Sequence, residues 1–424
     1  MKEKKTGFRL TRAEKSWILY DVGNSAFTLL ISTIMPIYFN YLADNAGVSS
    51  VDYLAFWGYA ASAATLAVAF LGPVFGAMAD TKGYKKPLFI VSLLVGAVGC
   101  ISLGLARQWL IFLIIFVIAK IGYSGSLIVY DSMLSDVTDN DRMDNVSSLG
   151  YAWGYIGSCI PFVVCLGLVL GAEPLGLSME NAMAISFVII ALWWLGMTVP
   201  LLKGYRQKNY VEKKKNAISE SFQRIGRTLL NVRKEKKIFL FLLAFFFYID
   251  GVYTIIDMAT AYGSALGFDS TGLLLALLVT QIVAFPFAIL FGRLARSIAA
   301  HKLIAVCIAA YFSIAVFAMF LTVQSQFWVL AVLVGMFQGG IQALSRSYFA
   351  RIIPPEQSGE YFGLMDICGK GASFMGTTVV SVVSQLTGDI NKGVGMIAVL
   401  FAVGMVFFWM AVKAKNTEVE KKTA

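Results

Sequence analysis

Gly76-Ala77-Met78-Ala79-Asp80-Thr81-Lys82-Gly83-Tyr84-Lys85-Lys86 is a short charged turn between two long apolar runs. Gly292-Arg293-Leu294-Ala295-Arg296-Ser297-Ile298-Ala299-Ala300-His301-Lys302 repeats its outline 216 positions later. Gly76 aligns with Gly292, Ala79 with Ala295 and Lys86 with Lys302, whereas Asp80 gives way to Arg296 and Gly83 to Ala299. Matching turns at the same place in two halves mark an internal repeat. A second pair supports it. Asp131-Ser132-Met133-Leu134-Ser135-Asp136-Val137 and Arg346-Ser347-Tyr348-Phe349-Ala350-Arg351-Ile352 stand 215 positions apart, setting Asp131 against Arg346 and Asp136 against Arg351.

Outside these turns the chain is strongly apolar. Of its 424 residues 58% are hydrophobic and 14% charged, and the mean hydropathy is +0.73. A soluble domain carries about 25% charged residues, and no single core absorbs this much apolar sequence, so a polytopic membrane protein is implied. Twelve apolar runs are long enough to span, near 17–42, 56–79, 87–106, 109–133, 146–170, 181–202, 238–262, 272–295, 303–323, 327–350, 361–386 and 393–412. Helices satisfy their own backbone in lipid, so an all-α membrane protein of twelve transmembrane helices in two pseudo-symmetric six-helix halves is expected. The halves are residues 1–202 and 238–424, the second ending in a short tail, joined by a basic linker at 203–237. The first run is too long for a cleaved signal peptide. Cys100, Cys159, Cys165, Cys307 and Cys368 all lie in apolar runs with no metal or redox spacing, which reads as packing.

Basic residues fix the orientation. Lys2, Lys4, Lys5, Arg9, Arg12 and Lys15 precede the first span, twelve Lys and Arg fill the linker, and Lys413, Lys415, Lys421 and Lys422 follow the last. The alternate loops hold only Arg107 and Lys392. The positive-inside rule places both termini and the linker in the cytoplasm, against a cell membrane. The net charge of +10 is therefore a topology signal rather than a sign of nucleic acid. The linker reads as a topology determinant, with anionic headgroups as its alternative partner. Asp136, Asp139, Asp141 and Asp144 around Arg142 form one acidic exception, to which the rule gives little weight.

The turn at Gly76, Asp80, Gly83, Lys85 and Lys86 resembles the signature between spans two and three of the major facilitator superfamily. Thr81 stands where a basic residue is usual, with Lys82 beside it. Tyr20-Asp21-Val22-Gly23-Asn24-Ser25-Ala26-Phe27, Ser148-Leu149-Gly150-Tyr151-Ala152-Trp153-Gly154-Tyr155-Ile156-Gly157 and Phe362-Gly363-Leu364 with Gly369-Lys370 resemble the first, fifth and eleventh spans of its vacuolar-effluxer-like branch. That branch includes fungal vacuolar permeases implicated in amino-acid efflux. The resemblance implies a twelve-helix transporter and a cytoplasmic gate at Gly76–Lys86.

Ionisable groups in a membrane cost about 2.5–3.5 kcal/mol each on insertion scales, so they mark function by default. Asp21, Lys120, Asp250, Asp257, Asp366 and Lys370 are six such groups, of which Lys120, Asp250 and Lys370 fall near the midplane. Steps of three and four align Asp21, Asn24 or Ser25, Thr28 and Ser32 on span one. Asp250, Thr254 and Asp257 share a face of span seven, and Asp366, Lys370, Ser373 and Thr377 a face of span eleven. Candidate substrate contacts are Asn24, Lys120, Asp250, Thr254, Gln281, Gln338 and Lys370. Candidate proton-coupling groups are Asp250, Asp257 and Asp21. Asp131, Asp136, Arg346 and Arg351 join the turn as candidate gate residues bridging the halves. Plainer readings stand beside these. Asp366 and Lys370 pair along one helix, Asp21 only orients the entry of span one, and Asp250 is a partner to Lys120 or Lys370.

Enzyme chemistry finds no constellation. Tyr20-Asp21 and Tyr130-Asp131 lack the Gly-x-Gly-Asp partner of an intramembrane aspartyl protease, and the one histidine, His301, sits at a turn. Neither a metal site nor a cofactor is expected, and no Gly-x-x-x-x-Gly-Lys-Ser/Thr loop binds ATP. The expectation is a secondary active transporter of a small solute, working by alternating access as a monomer among membrane lipids. An amino acid or other small carboxylate-bearing metabolite is the candidate substrate and the proton the expected coupling ion. A lipid flippase or scramblase on the same fold is the alternative.

Overall fold

A computed structural model describes residues 8–212 and 235–414, without the side chains of 50–55, 260, 261, 264, 265, 270, 271, 274 and 370–374. Lys370 and most of the linker thus fall outside the described groups.

The first span is two helices, α1 (Arg12–Ser32) and α2 (Ile34–Asn45). Thr11 and Glu14 close a capping box at the start of α1. Pro36 has no N–H to donate to the Ser32 carbonyl and its ring crowds that oxygen, so the chain breaks at Thr33 and bends by 40°. The other spans are α3 (Ser50–Ala79), α4 (Lys85–Leu103), α5 (Trp109–Ser132), α7 (Met143–Leu170) and α8 (Met179–Gly204). In the second half they are α9 (Lys236–Ala265), α10 (Ser270–Leu294), α11 (Ala300–Ala318), α12 (Gln324–Ile352), α13 (Ser358–Thr387) and α14 (Ile390–Lys413). The single turn α6 (Leu134–Val137) joins α5 to α7. Among the described residues ten helices are long and apolar enough to cross a membrane, and the bent α1–α2 pair makes eleven. The remaining long helix is α13, which carries Asp366. Phe70, Leu66, Val98 and Ile160 stand more than half exposed on the outer wall, as lipid-facing side chains do.

The packing repeats with the sequence. In the first half α1 packs on α7 and α8, α3 on α5, and α4 on α5 and α8. In the second, α9 packs on α13 and α14, α10 on α12, and α11 on α12 and α14. The halves meet along two equivalent seams, α3 against α13 and α7 against α10. Glycines set the first seam: a methyl on Gly76 would overlap the Gly359 carbonyl, and one on Gly363 would lie 2.8 Å from the Gly72 carbonyl. Backbones approach this closely only where side chains are missing.

Candidate functional site: a charged seam at one end of the bundle

The face where α1 begins and α14 ends carries a chain of polar contacts. At the α3–α4 turn Gly83 takes φ = 79°, a conformation that favours glycine. The turn buries Asp80, whose Oδ1 accepts from the Gly359 N–H at 2.7 Å and Oδ2 from the Glu360 N–H at 2.9 Å. These are orphan donors at the start of α13, where the helix dipole also favours a carboxylate. Lys85, wholly buried, stands 3.3 Å from Asp136 Oδ2 and 4.0 Å from Asp80 Oδ1, and donates to Ser358 Oγ at 3.2 Å. Lys86 makes no hydrogen bond or ion pair among the described residues.

Arg346 on α12 crosses the seam. Its Nη1 is 3.1 Å from Asp131 and its Nη2 3.3 Å from Asp21, and Nε donates to Ser147 Oγ at 2.9 Å. The guanidinium lies 4.6 Å from the Trp17 ring and 4.3 Å from that of Tyr151. The expected Asp131–Arg346 bridge is therefore made, and Asp21 belongs to it. Asp136 does not meet Arg351. Arg351 forks onto Asp144 at 2.7 and 2.8 Å, and Ser347 donates to the same carboxylate. The reason is local: α6 turns Asp136 inward under Lys85, whereas Asp144 opens α7 facing the end of α12. Arg296 of the repeated turn donates to Asn145 at 3.1 Å, and its guanidinium lies over the Phe8 ring.

The start of the linker is a docked strap. Tyr205 Oη donates to Asp136 Oδ2 at 2.5 Å, and the Asn209 N–H and Nδ2 donate to Oδ1 at 2.8 and 3.0 Å. Burial and the Asp136 carboxylate push the Tyr205 hydroxyl far above its ordinary range, so it stays a donor. Gln207 accepts from the Gly83 N–H at 2.9 Å, and Val211 exchanges backbone bonds with Asp80 and Lys82. Charge counting reads 203–237 as a linker and gives no sign of Tyr205, Gln207 or Asn209. The aromatic cradle of Arg346 was equally invisible, although Thr11-x-x-Glu14 is a capping signature legible in the sequence.

The mid-bundle candidates divide. Asp250 is fully buried, and its Oδ1 accepts from Thr254 at 3.2 Å and from the Gly376 N–H of α13 at 3.0 Å. Its Oδ2 has no hydrogen-bond partner, and it forms no ion pair among the described residues. Gly376 lets α13 close directly over the carboxylate, and Lys370, one of the two lysines suggested as its partner, lies outside the described side chains. Asn24 donates to Asp21 at 3.4 Å, and Thr28 meets Tyr123 Oη. Gln338 is buried with its Oε1 unpartnered, Gln281 and Lys120 are half-buried, and Asp257 is exposed.

The Asp144–Arg351 fork is the cleaner test of the seam, since each residue makes one ion pair. Removing one partner of a desolvated charge pair costs about 2–5 kcal/mol. Asp144→Arg and Arg351→Asp should each slow transport, and the double reversal should recover part of the loss. A double variant no better than the worse single one would remove the pair from the closing contacts.

The sequence profile described as "Vacuole effluxer Atg22 like" matches residues 11–143 and 135–422. An MFS-type transporter of Bacillus subtilis, YxiO, is 41% identical over 419 residues, 98% of each chain. Autophagy-related protein 22 of Coccidioides immitis is 23% identical over 412 residues, covering 76% of this chain and 66% of that one. The solved structure of the major facilitator superfamily transporter FucP in the outward conformation superposes with a TM-score of 0.70 at 17% identity, covering 95% and 98% of the two chains. With a fold of two equivalent six-helix halves, a family profile along nearly its whole length and an MFS-type relative at 41% identity, the chain belongs to the vacuole effluxer Atg22-like family of the major facilitator superfamily and is a multi-pass membrane transporter.

Proposed function

We propose that this transporter is a secondary carrier of a small solute, with its terminus-bearing face and both termini in the cytoplasm of a cell membrane. Residues 1–202 rock against 238–424, and the chain works as a monomer. One observation carries the reading: three ion pairs, Arg346 with Asp21, Arg346 with Asp131 and Arg351 with Asp144, join the halves at that face. A latch confined to one end is what alternating access needs, because opening it admits the solute from that side only. The basic flanks place that end inside. The conformation then corresponds to the outward-facing state.

An amino acid or other small carboxylate-bearing metabolite is the substrate class, in keeping with the effluxer family. Lys120, Lys370, Asn24, Gln281 and Gln338 offer its binding groups, and Asp250 is the proton site. Its sealed position against α13 suits a coupling group better than a direct substrate contact. Uptake and release of candidate metabolites by proteoliposomes, with and without an imposed pH gradient, test the reading. A soluble carboxylate moved in response to the gradient supports it. Movement of labelled lipid with no soluble solute would replace it with a flippase or scramblase.

A further inference from the structure

Beside the charged seam, where α7 meets α10, lies a cavity of about 340 Å³ that no transport step above uses. Ser148 and Asn145 line it from the first two turns of α7, Arg293 from the last turn of α10 and Arg296 from the turn that follows it. Leu149 and Ile289 supply an apolar wall, and no carboxylate is among the lining residues. Two features ask for a ligand. Ser148 is fully buried and its hydroxyl has no hydrogen-bond partner. Arg293 makes no hydrogen bond or ion pair among the described residues, although carboxylates crowd the adjacent seam. Those carboxylates are committed: Asp144 to Arg351, Glu14 to Arg142.

We propose that this cavity is a site for a phosphate ester. Arg293 and Arg296 grip the phosphate as guanidinium forks do. The N-terminus of α7 adds its positive dipole end, and the Ser148 hydroxyl donates from beneath. The phosphate comes either from an anionic phospholipid of the leaflet at this face, with Leu149 and Ile289 meeting its acyl carbons, or from a soluble phosphate. Because α7 and α10 belong to different halves, an occupant holds this face shut. It therefore favours the conformation seen here by mass action.

The test is native mass spectrometry of the full chain exchanged into detergent with equimolar phosphatidylglycerol and phosphatidylcholine. Wild-type protein should retain phosphatidylglycerol selectively. Charge-assisted hydrogen bonds are each worth about a factor of ten in affinity, so Arg293→Glu should lower that retention about tenfold or more. Ser148→Ala should lower it less, and Arg107→Glu at the opposite end should leave it unchanged. Arg293 is exposed, so its variant should fold as wild type does. If millimolar inorganic phosphate leaves the retained lipid in place, the source is the membrane. If phosphate displaces it in an Arg293-dependent way, the site stands and its source is soluble. Equal phosphatidylglycerol retention by Arg293→Glu and wild type would overturn the proposal.

Discussion

Arg346→Ala should open the terminus-bearing face and nearly abolish transport. The guanidinium sits between Asp21 and Asp131, hydrogen-bonds Ser147 and lies over the Trp17 and Tyr151 rings. Its removal leaves two carboxylates facing each other in a largely buried place. Breaking a buried pair by deleting one partner costs roughly 3–5 kcal/mol. At about 1.4 kcal/mol per tenfold that is two to three and a half decades in a population ratio. The whole penalty falls on the closed state, because separated halves expose both carboxylates to water. Spin labels at Asp139 and Ser297, exposed turns on opposite halves, should report a longer mean separation in Arg346→Ala than in wild type. Arg346→Lys should lie between them, since it keeps the charge and loses the fork. An unchanged separation in Arg346→Ala would take Arg346 out of the latch.

Asp250→Asn should uncouple the carrier without emptying it. A sealed carboxylate with one unpartnered oxygen is costly when charged, and a proton removes that cost. Gly376 donates to it from α13, a helix that also carries the Asp80 latch at its start. A shift of α13 therefore changes both together. One pH unit is worth about 1.4 kcal/mol per proton, so it can drive about tenfold accumulation through a one-proton carrier. In Asp250→Asn that ratio should fall to unity while counterflow without a gradient persists. Full pH-driven accumulation by the variant would exclude Asp250, and Asp257 would be the next carboxylate to test.

The fold was legible because lipid allows so few answers. Apolar runs must be helices, and the paired turns at Gly76 and Gly292 say that there are two sets. Span ends differ from the structure by a few residues, mostly where polar caps carry helices past the apolar run, as Thr11 and Glu14 do for α1. The seam was half legible. Aligning Asp131 with Arg346 found a true contact, because equivalent helix ends meet at the pseudo-two-fold axis. The same alignment failed for Asp136 and Arg351. Register along a repeat says which helix ends are equivalent, but not that α6 would rotate one carboxylate away from the seam. Asp250 shows a different limit. Helical periodicity put it on the polar stripe of α9, but a glycine on another helix decides whether that stripe faces water or protein.

On the proposed mechanism the halves part at the terminus-bearing face in every cycle. Asn145 and Arg296 touch across that face at 3.1 Å. Asn145→Cys and Arg296→Cys, in a background with Cys368→Ser, can be joined by a short bifunctional thiol reagent with a reducible linker. Solute uptake is then measured before joining, after joining and after reduction. Joining should arrest transport and reduction should restore it, while the reagent should leave the rate of either single-cysteine variant where it stood before treatment. Undiminished transport by the fully joined protein would contradict it.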